Sequence, residues 1–592
     1  MEYLFDYLAV GEAAFTGAVA NTVDFATEKQ LKDKALWKKF AGQFRVRLDS
    51  DDKGWRGEYW GKMMRGGCLT YRYSADEALY DALTFAVEEL LKTQDELGRI
   101  SSYTVETEFS GWDMWSRKYV LTGLQHFYAI CKDENLKARV LSAMISSAEY
   151  ICAHIGAGKM DIRETSVNWG GENSCSILEP FVELYKITKT TKYLDFAKYI
   201  IESGGCIQGD LLAAAATDGL YPYQYPVNKA YETMSFFEGV LAYYEATGKT
   251  EYFELVKKFV EDAFETDRTV VGGLGGKGER FTCFYQNQTE DQGAPVQETC
   301  VTVTWIRLLA RLYFNTGDVK YIERIERSAL NAMWGSLNTE WNMQFSEEVQ
   351  KDVAPLPFDS YSPLSYDKRG RAIGGFKIME DGTNYGCCAC IGAAGVALPP
   401  LLAVVREESG LVMNFYFSGK IQTQTPSGNG VRLEIVGGYP TDGRIKVLVK
   451  SEKEEKFTLR FRKPSWCLGA SLTGAEYVEK DGYFVVNKAW GEDEIYLDFP
   501  TSLTREVLNG KTAFLYGPIA LALDEGKGNA GIEGEIRLKE NTGRVEKPEG
   551  KEIFRYRMER ADGEDLIFTD YASSGKTWEN TENKMCVWLK VK

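Results

Sequence analysis

The sequence predicts a multidomain chain with separate α and β parts, an (α/α)6 barrel followed by a C-terminal β-sandwich region. Three observations carry this. A helical hairpin recurs through the first 335 residues, short alternating apolar segments take over after about residue 405, and 592 residues are too many for one compact core.

Each hairpin copy is an aromatic-rich helix end, a short polar turn and a second helix that opens with Leu or Tyr. Tyr71 and Tyr73 precede Leu79, Phe127 and Tyr128 precede Leu136, and Leu184 and Tyr185 precede Tyr193. Tyr243 and Tyr244 precede Tyr252, and Leu312 and Tyr313 precede Tyr321. The anchors 79, 136, 193, 252 and 321 are therefore 57, 57, 59 and 69 residues apart, the length of two helices and two connections. Within a copy the apolar period is helical, as in Trp305, Leu308, Leu309 and Leu312. Five hairpins, with further helix at 28–44 and after Gly395, complete a six-hairpin toroid; an open superhelix is the alternative that period alone leaves standing. The last interval exceeds the one before it by ten residues and holds the glycine-rich stretch 272–281, and extra loop where repeats otherwise agree points to a site.

After the barrel, expected over 1–405, the segments 411–417, 432–436, 445–449, 457–461, 494–499 and 512–516 read as strands bounded by Gly, Pro and Asn turns. They predict β-sandwich structure over 406–592, with the polar, glycine-rich stretch 525–550 as a mobile insertion.

A formal charge of -16 repels phosphate backbones and anionic lipid, so nucleic acid and membrane are excluded as partners and a neutral ligand is favoured. Residues 1–21 include Glu2, Asp6 and Glu12 and lack a basic segment followed by an apolar run, which predicts a cytoplasmic protein. The twelve cysteines then read as reduced thiols, to be argued site by site. Only two histidines occur, His126 and His154, so proton transfer must come mainly from carboxylates. The 34 Tyr and 13 Trp suit a cleft with flat walls for sugar faces, although packing between helices accounts for most of them.

The chemistry concentrates at two distant segments. Glu298-Thr299-Cys300 and the adjacent Cys387 and Cys388 offer three thiolates and one carboxylate, a tetrahedral zinc set. Glu298 and Cys300 fall at the mouth of a helix starting near Val301, where both can face one ion. Adjacent cysteines cannot both face inward from a strand, so Cys387 and Cys388 predict an irregular turn, which Gly386 and Gly392 permit. A bound metal would keep a sulfur deprotonated and make it a nucleophile. A purely structural zinc site is the alternative, as is an all-sulfur set in which Cys390 replaces Glu298. Glu279, in the glycine-rich loop, is a candidate general acid/base against the alternative of an exposed loop glutamate. The run from Trp112 and Asp113 through Lys118 and Tyr119 gathers rings and charge at a helix start, suited to hydroxyl recognition or to helix capping by Asp113.

These motifs resemble the β-L-arabinofuranosidase-like enzymes of glycoside hydrolase family 127 and its relatives, from about Gly54 to near Glu525. The resemblance rests on Gly54-Trp55-Arg56-Gly57-Glu58, Gly111-Trp112-Asp113, Arg117-Lys118-Tyr119, Ser176-Ile177-Leu178-Glu179-Pro180, Gly278-Glu279-Arg280-Phe281, Glu298-Thr299-Cys300 and Cys387-Cys388, the last two being the specific ones. It implies an (α/α)6 barrel with β-sandwich domains and a zinc ion held by Glu298, Cys300, Cys387 and Cys388. It further implies Cys387 as nucleophile, Glu279 as acid/base and Tyr361 beside them. The chain departs from the family where relatives carry an Asn-Gly-Pro-Arg-like turn after the cysteine pair, reading Ala389-Cys390-Ile391-Gly392 instead. Family histidines near the sugar have no counterparts, and Ser176, Glu179, Tyr231 and Glu238 are the substitutes on matching helices. The expected function is a retaining exo-glycosidase acting on a β-L-arabinofuranosyl or similar sugar of a small oligosaccharide, as a monomer or homo-oligomer. A catalytically inactive carbohydrate-binding protein with structural zinc, and a sugar epimerase on the same barrel, are the rivals.

Overall fold

In the computed structural model, which describes residues 3–341, 353–379, 381–529, 532–539, 542–561, 563–576 and 583–592, every anchor of the repeat is the third residue of a helix. The turn chemistry explains the regularity. Asp76 and Asp133 each accept from two backbone N–H groups of the next helix's first turn and Asp318 from one. The helices before Asp76 and Asp318 close on the left-handed residues Ala75 and Gly317, whereas the one before Asp133 ends on extended Cys131.

Twelve helices of the toroid alternate between outer and inner positions. They are α1 (Lys34–Val46), α2 (Glu58–Ser74), α3 (Glu77–Leu91), α4 (Asp113–Ile130), α5 (Glu134–His154), α6 (Leu178–Thr188), α7 (Thr191–Glu202), α8 (Ala230–Thr247), α9 (Thr250–Asp267), α10 (Thr299–Thr316), α11 (Val319–Arg327) and α12 (Cys387–Ala403). The even-numbered helices are inner and buried along most of their length. They pack in a ring: α2 on α4, α4 on α6, α6 on α8, α8 on α10, α10 on α12, and α12 back on α2. That last contact closes an (α/α)6 barrel and rules out the open superhelix.

Two local expectations change. The helix expected over 28–44 is broken at Asp33, whose carboxylate caps α1 by accepting from Ala35 and Leu36 N–H, while a separate helix Ala18–Ala26 packs outside α12. The cysteine pair does not sit in an irregular turn: Gly386 is the N-cap and α12 begins at Cys387, eight residues before the expected helix. Gly392 and Gly395 serve close packing instead, since a methyl group on them would meet the Phe358 ring at 2.4 Å and the Met333 sulfur at 2.2 Å.

At Val404 the chain passes from α12 into the β region. Its larger sheet recruits two N-terminal strands, Asp6–Tyr7 beside Val404–Glu407 and Ala13–Phe15 beside Gly419–Gln424, and so clasps both ends of the barrel sequence. The segments expected as separate strands at 445–449 and 457–461 form one strand, Arg444–Arg462, paired with Tyr483–Asp498 through a register shift between Lys450 and Glu455. The shift absorbs the polar residues that read as a turn. A second sheet contains Lys511–Tyr516, Ile519–Asp524 and Leu566–Asp570. Within 525–550, Glu535–Ile536 pairs with Lys590–Val591 and Arg544–Glu546 with Arg555–Met558; positions 530, 531, 540 and 541 lie outside the described residues. Among the described residues no helix is long and apolar enough to cross a membrane.

Candidate metal centre and active site

The neighbouring inner helices α10 and α12 bring the two cysteine segments together at their N-terminal ends. Glu298 is the N-cap of α10 but makes no side-chain cap, so its carboxylate is free to turn inward. The helix start is pinned by Thr299, whose N–H donates to the Ser360 carbonyl at 2.8 Å and whose hydroxyl donates to the Asp359 carbonyl at 2.7 Å. On α12 the Cys387 N–H donates to the Gly374 carbonyl at 3.1 Å.

The four side chains meet in a small polyhedron. The Cys300 sulfur is 3.5 Å from that of Cys387 and 3.4 Å from that of Cys388, and the latter two are 3.7 Å apart. Glu298 Oε1 is 3.6 Å from the Cys387 sulfur and 3.4 Å from the Cys388 sulfur. A tetrahedral ion with metal–sulfur bonds near 2.3 Å and a metal–oxygen bond near 2.0 Å has S···S edges of about 3.8 Å and S···O edges of about 3.5 Å. Five of the six edges lie within about 0.4 Å of these values and all four ligand atoms lie within 4.8 Å of one another, so these residues are able to hold a metal ion. Cys390, one turn further along α12, lies outside the group that converges, and Glu298 lies within it. Burial pushes the Cys300 and Cys388 thiols and the Glu298 carboxyl well up, whereas hydrogen bonds from Cys300 and Cys388, together with the Lys62 charge, hold Cys387 well below the usual thiol range. Cys387 is also the most accessible of the three cysteines, at 6% against 0% for the other two.

The glycine-rich loop supplies Glu279. Its backbone is left-handed at φ 59°, and it docks on the start of α8 through Ala230 N–H donating to the Glu279 carbonyl and Phe281 N–H donating to the Asn228 carbonyl. The carboxylate is half-buried and doubly held: Tyr361 Oη donates to Oε1 at 2.6 Å, and Lys229 Nζ pairs with Oε2. Tyr361 is itself bridged to Glu298 through the backbone, so acid/base candidate and candidate metal ligands share one scaffold. Phe281, two residues after Glu279, is buried with its ring against Phe259.

The other expected residues divide. Trp112 is half-buried at the start of α4, edge-on to Trp55 and Trp115. Asp113 is engaged by Ser101, the Phe109 N–H and Arg117, but it lies one residue inside the helix, whose N-cap Trp112 makes no side-chain cap, so the capping alternative does not hold. Lys118 is buried against the Trp115 and Tyr119 rings, its pKa pushed down to about 7 by burial, and its Nζ has no hydrogen-bond partner among the described residues. Tyr231 hydrogen-bonds Tyr119 through their hydroxyls. The Ser176 hydroxyl donates to the Asn173 carbonyl at 2.6 Å. Glu179 and Glu238 both pair with Arg307, seven residues beyond Cys300 on α10 and so about 10 Å deeper in the barrel.

Two residues near the candidate site carried no recognisable signal in the sequence, Lys229 immediately before α8 and Lys62 on α2, while Glu58 on α2 entered only within the Gly54–Glu58 motif with no role assigned. A group of buried polar atoms also emerges where the short helix Glu172–Cys175 packs on α8. Both Glu172 carboxylate oxygens, Asn173 Oδ1, Glu232 Oε2, Thr233 Oγ1 and Ser235 Oγ have no hydrogen-bond partner among the described residues. Burial pushes the Glu232 carboxyl up to about 7 against the opposing charge of Lys229.

No curated protein matches the chain by sequence. The fold is shared with solved structures: a GH127 β-L-arabinofuranosidase from Geobacillus stearothermophilus T6 at 19% identity and TM-score 0.71, covering 98% of this chain and 100% of that one. Another, described as a GH127 β-arabinofuranosidase, aligns at 18% identity and TM-score 0.74, covering 100% of this chain and 98% of its own. The family model for the β-L-arabinofuranosidase GH127 catalytic domain matches residues 19–346, and that for the GH127 middle domain matches residues 410–501. The chain belongs to the GH127 β-L-arabinofuranosidase family and is a glycoside hydrolase.

Proposed function

We propose that the protein is a zinc-dependent, retaining exo-glycosidase that releases a β-L-arabinofuranosyl or closely similar sugar from the non-reducing end of a small oligosaccharide. The observation that carries the reading is the convergence of Glu298, Cys300, Cys387 and Cys388 within 4.8 Å of one another, beside a Glu279 anchored to the same segment through Tyr361. Zinc at these four ligands would supply the positive charge that keeps the thiols deprotonated at neutral pH.

The Cys387 thiolate attacks the anomeric carbon, forming a C–S bond as the C–O bond to the leaving group breaks. Glu279, protonated, gives its proton to the departing oxygen. The sugar is then held as a thioglycoside on Cys387. Glu279, now a carboxylate, takes a proton from water; the water oxygen bonds the anomeric carbon, the C–S bond breaks and the thiolate returns. Two displacements retain the configuration, the logic of retaining glycosidases with sulfur in place of a carboxylate. Tyr361 and Lys229 each hold one oxygen of Glu279 and so fix its orientation. The unsatisfied atoms of Glu172, Asn173 and Glu232 are suited to sugar hydroxyls, since a buried acceptor left without a partner costs about 1–3 kcal/mol.

Cys387→Ser tests the assignment. Turnover of an aryl β-L-arabinofuranoside should vanish while the fold and a substantial share of the bound metal remain; undiminished turnover would refute the nucleophile.

A further inference from the structure

The metal centre poses a question of charge that its four ligands do not answer. Three thiolates and a carboxylate carry four negative charges, and a divalent ion leaves two uncompensated in a site whose ligands are all buried. A buried charge without a partner is expensive, so a cation is expected close by. Lys62, on inner helix α2, is the cation in contact, its charge shared between Cys300 and Glu58. Its side chain is 1% exposed and its Nζ lies 3.8 Å from the Cys300 sulfur. Among the described residues no other cationic side chain hydrogen-bonds any of the three sulfurs.

The surroundings of Lys62 fix it there. Nζ is 3.1 Å from Glu58 Oε1, one helical turn earlier on α2, and Glu58 is held in turn by the Trp115 indole N–H. The rings of Tyr231, Tyr119 and Trp115 face the ammonium at 4.5, 5.1 and 5.7 Å from their centroids. Such an aromatic cage excludes water and strengthens the ammonium's interaction with a sulfur anion.

The contact is unequal among the sulfurs. An N–H···S bond from a cation withdraws charge from the sulfur that accepts it, and a thiolate stabilised in this way is a weaker nucleophile. We propose that Lys62 is a positioning residue of the metal centre: by bonding Cys300 alone it fixes that sulfur as a permanent ligand and leaves the more accessible Cys387 as the one released to the sugar. This rests on the reading of Cys387 as the nucleophile. Residues of this kind behind a ligand typically tune metal affinity or activity by about 10- to 100-fold.

The test uses the full chain loaded with Co2+, whose thiolate charge-transfer band reports electron density on sulfur. Lys62→Met should move that band to lower energy, weaken metal retention against a chelator by about tenfold or more, and lower kcat with little change in KM. Lys62→Arg, which keeps the charge, should restore band position and retention in large part. Glu58→Gln, which removes the competing acceptor, should move the band the opposite way and stands as an independent measurement should Lys62→Met fail to fold. A band unmoved in both Lys62→Met and Glu58→Gln overturns the proposal even where Cys387→Ser is inactive. A shifted band with an active Cys387→Ser enzyme overturns the nucleophile reading and the selection argued from it, while an enzyme that takes up no Co2+ overturns both.

Discussion

Gly375 lies over the Cys387 sulfur: a methyl group on its Cα would stand 2.5 Å from that atom. Its backbone is left-handed at φ 55°, and its carbonyl accepts hydrogen bonds from the Trp55 indole N–H at 2.8 Å and the Tyr59 hydroxyl at 2.6 Å. The turn at Gly375 is thus latched to Trp55 and to Tyr59 of α2 over the Cys387 sulfur, with no room for a side chain. Gly375→Ala should displace either the loop or the sulfur, costing about 1–3 kcal/mol of stability. Metal content and kcat should both fall while circular dichroism keeps the helical signal of the wild type.

The Tyr361 hydroxyl is expected to matter for rate more than for binding. It donates to Glu279 Oε1 at 2.6 Å, and a hydrogen bond to a charged group is worth about 1.5–3 kcal/mol. Tyr361→Phe should lower kcat by roughly 10- to 100-fold through loss of orientation of the acid/base, with KM changed only a few-fold. Steady-state kinetics on an activated and an unactivated leaving group separates the two effects, since the poorer leaving group needs the proton more and should suffer the larger loss.

Deeper in the barrel, the buried Glu245 pairs with Arg311 at 2.6 Å and Lys186 at 3.0 Å. Burial alone would raise its pKa, but the two cations prevail and hold the carboxyl at about 2. The folded value lies below the unfolded one of about 4.3, so the stabilisation is fully present above that pH and is lost as pH falls toward the folded value. Glu245→Gln should cost about 3 kcal/mol near neutrality. Urea midpoints measured from pH 7 to pH 3 should show the gap between variant and wild type narrowing only below about pH 4.3.

Much of the architecture could be read because it rests on local rules. Asp76, Asp133 and Asp318 sit where a helix must start, and the apolar rows behind Leu79, Leu136 and Tyr321 repeat at helical spacing. The candidate metal group was legible because Glu298, Cys300, Cys387 and Cys388 are rare residues in a rare spacing. What escaped depends on tertiary contact. Lys229 and Lys62 are ordinary charged residues, and Glu58 only the end of a motif without a role, until α2, α8 and α10 close around one point. Glu179 and Glu238 point into the barrel as a helical period allows, yet Arg307, 128 residues beyond Glu179, occupies both of them. The start of α12 was displaced because Cys387 and Cys388 suggested an irregular backbone, whereas the first turn of a helix lets both sulfurs reach one ion.

The most direct test is the intact mass of the protein after brief incubation with a slow β-L-arabinofuranosyl substrate, followed by peptide mapping. A gain of one pentosyl unit on the peptide carrying Cys387, absent in Cys387→Ser and persisting longer in Glu279→Gln, is the predicted result. Product formed without any sugar bound to Cys387 at any time, or an adduct on another side chain, would contradict the account.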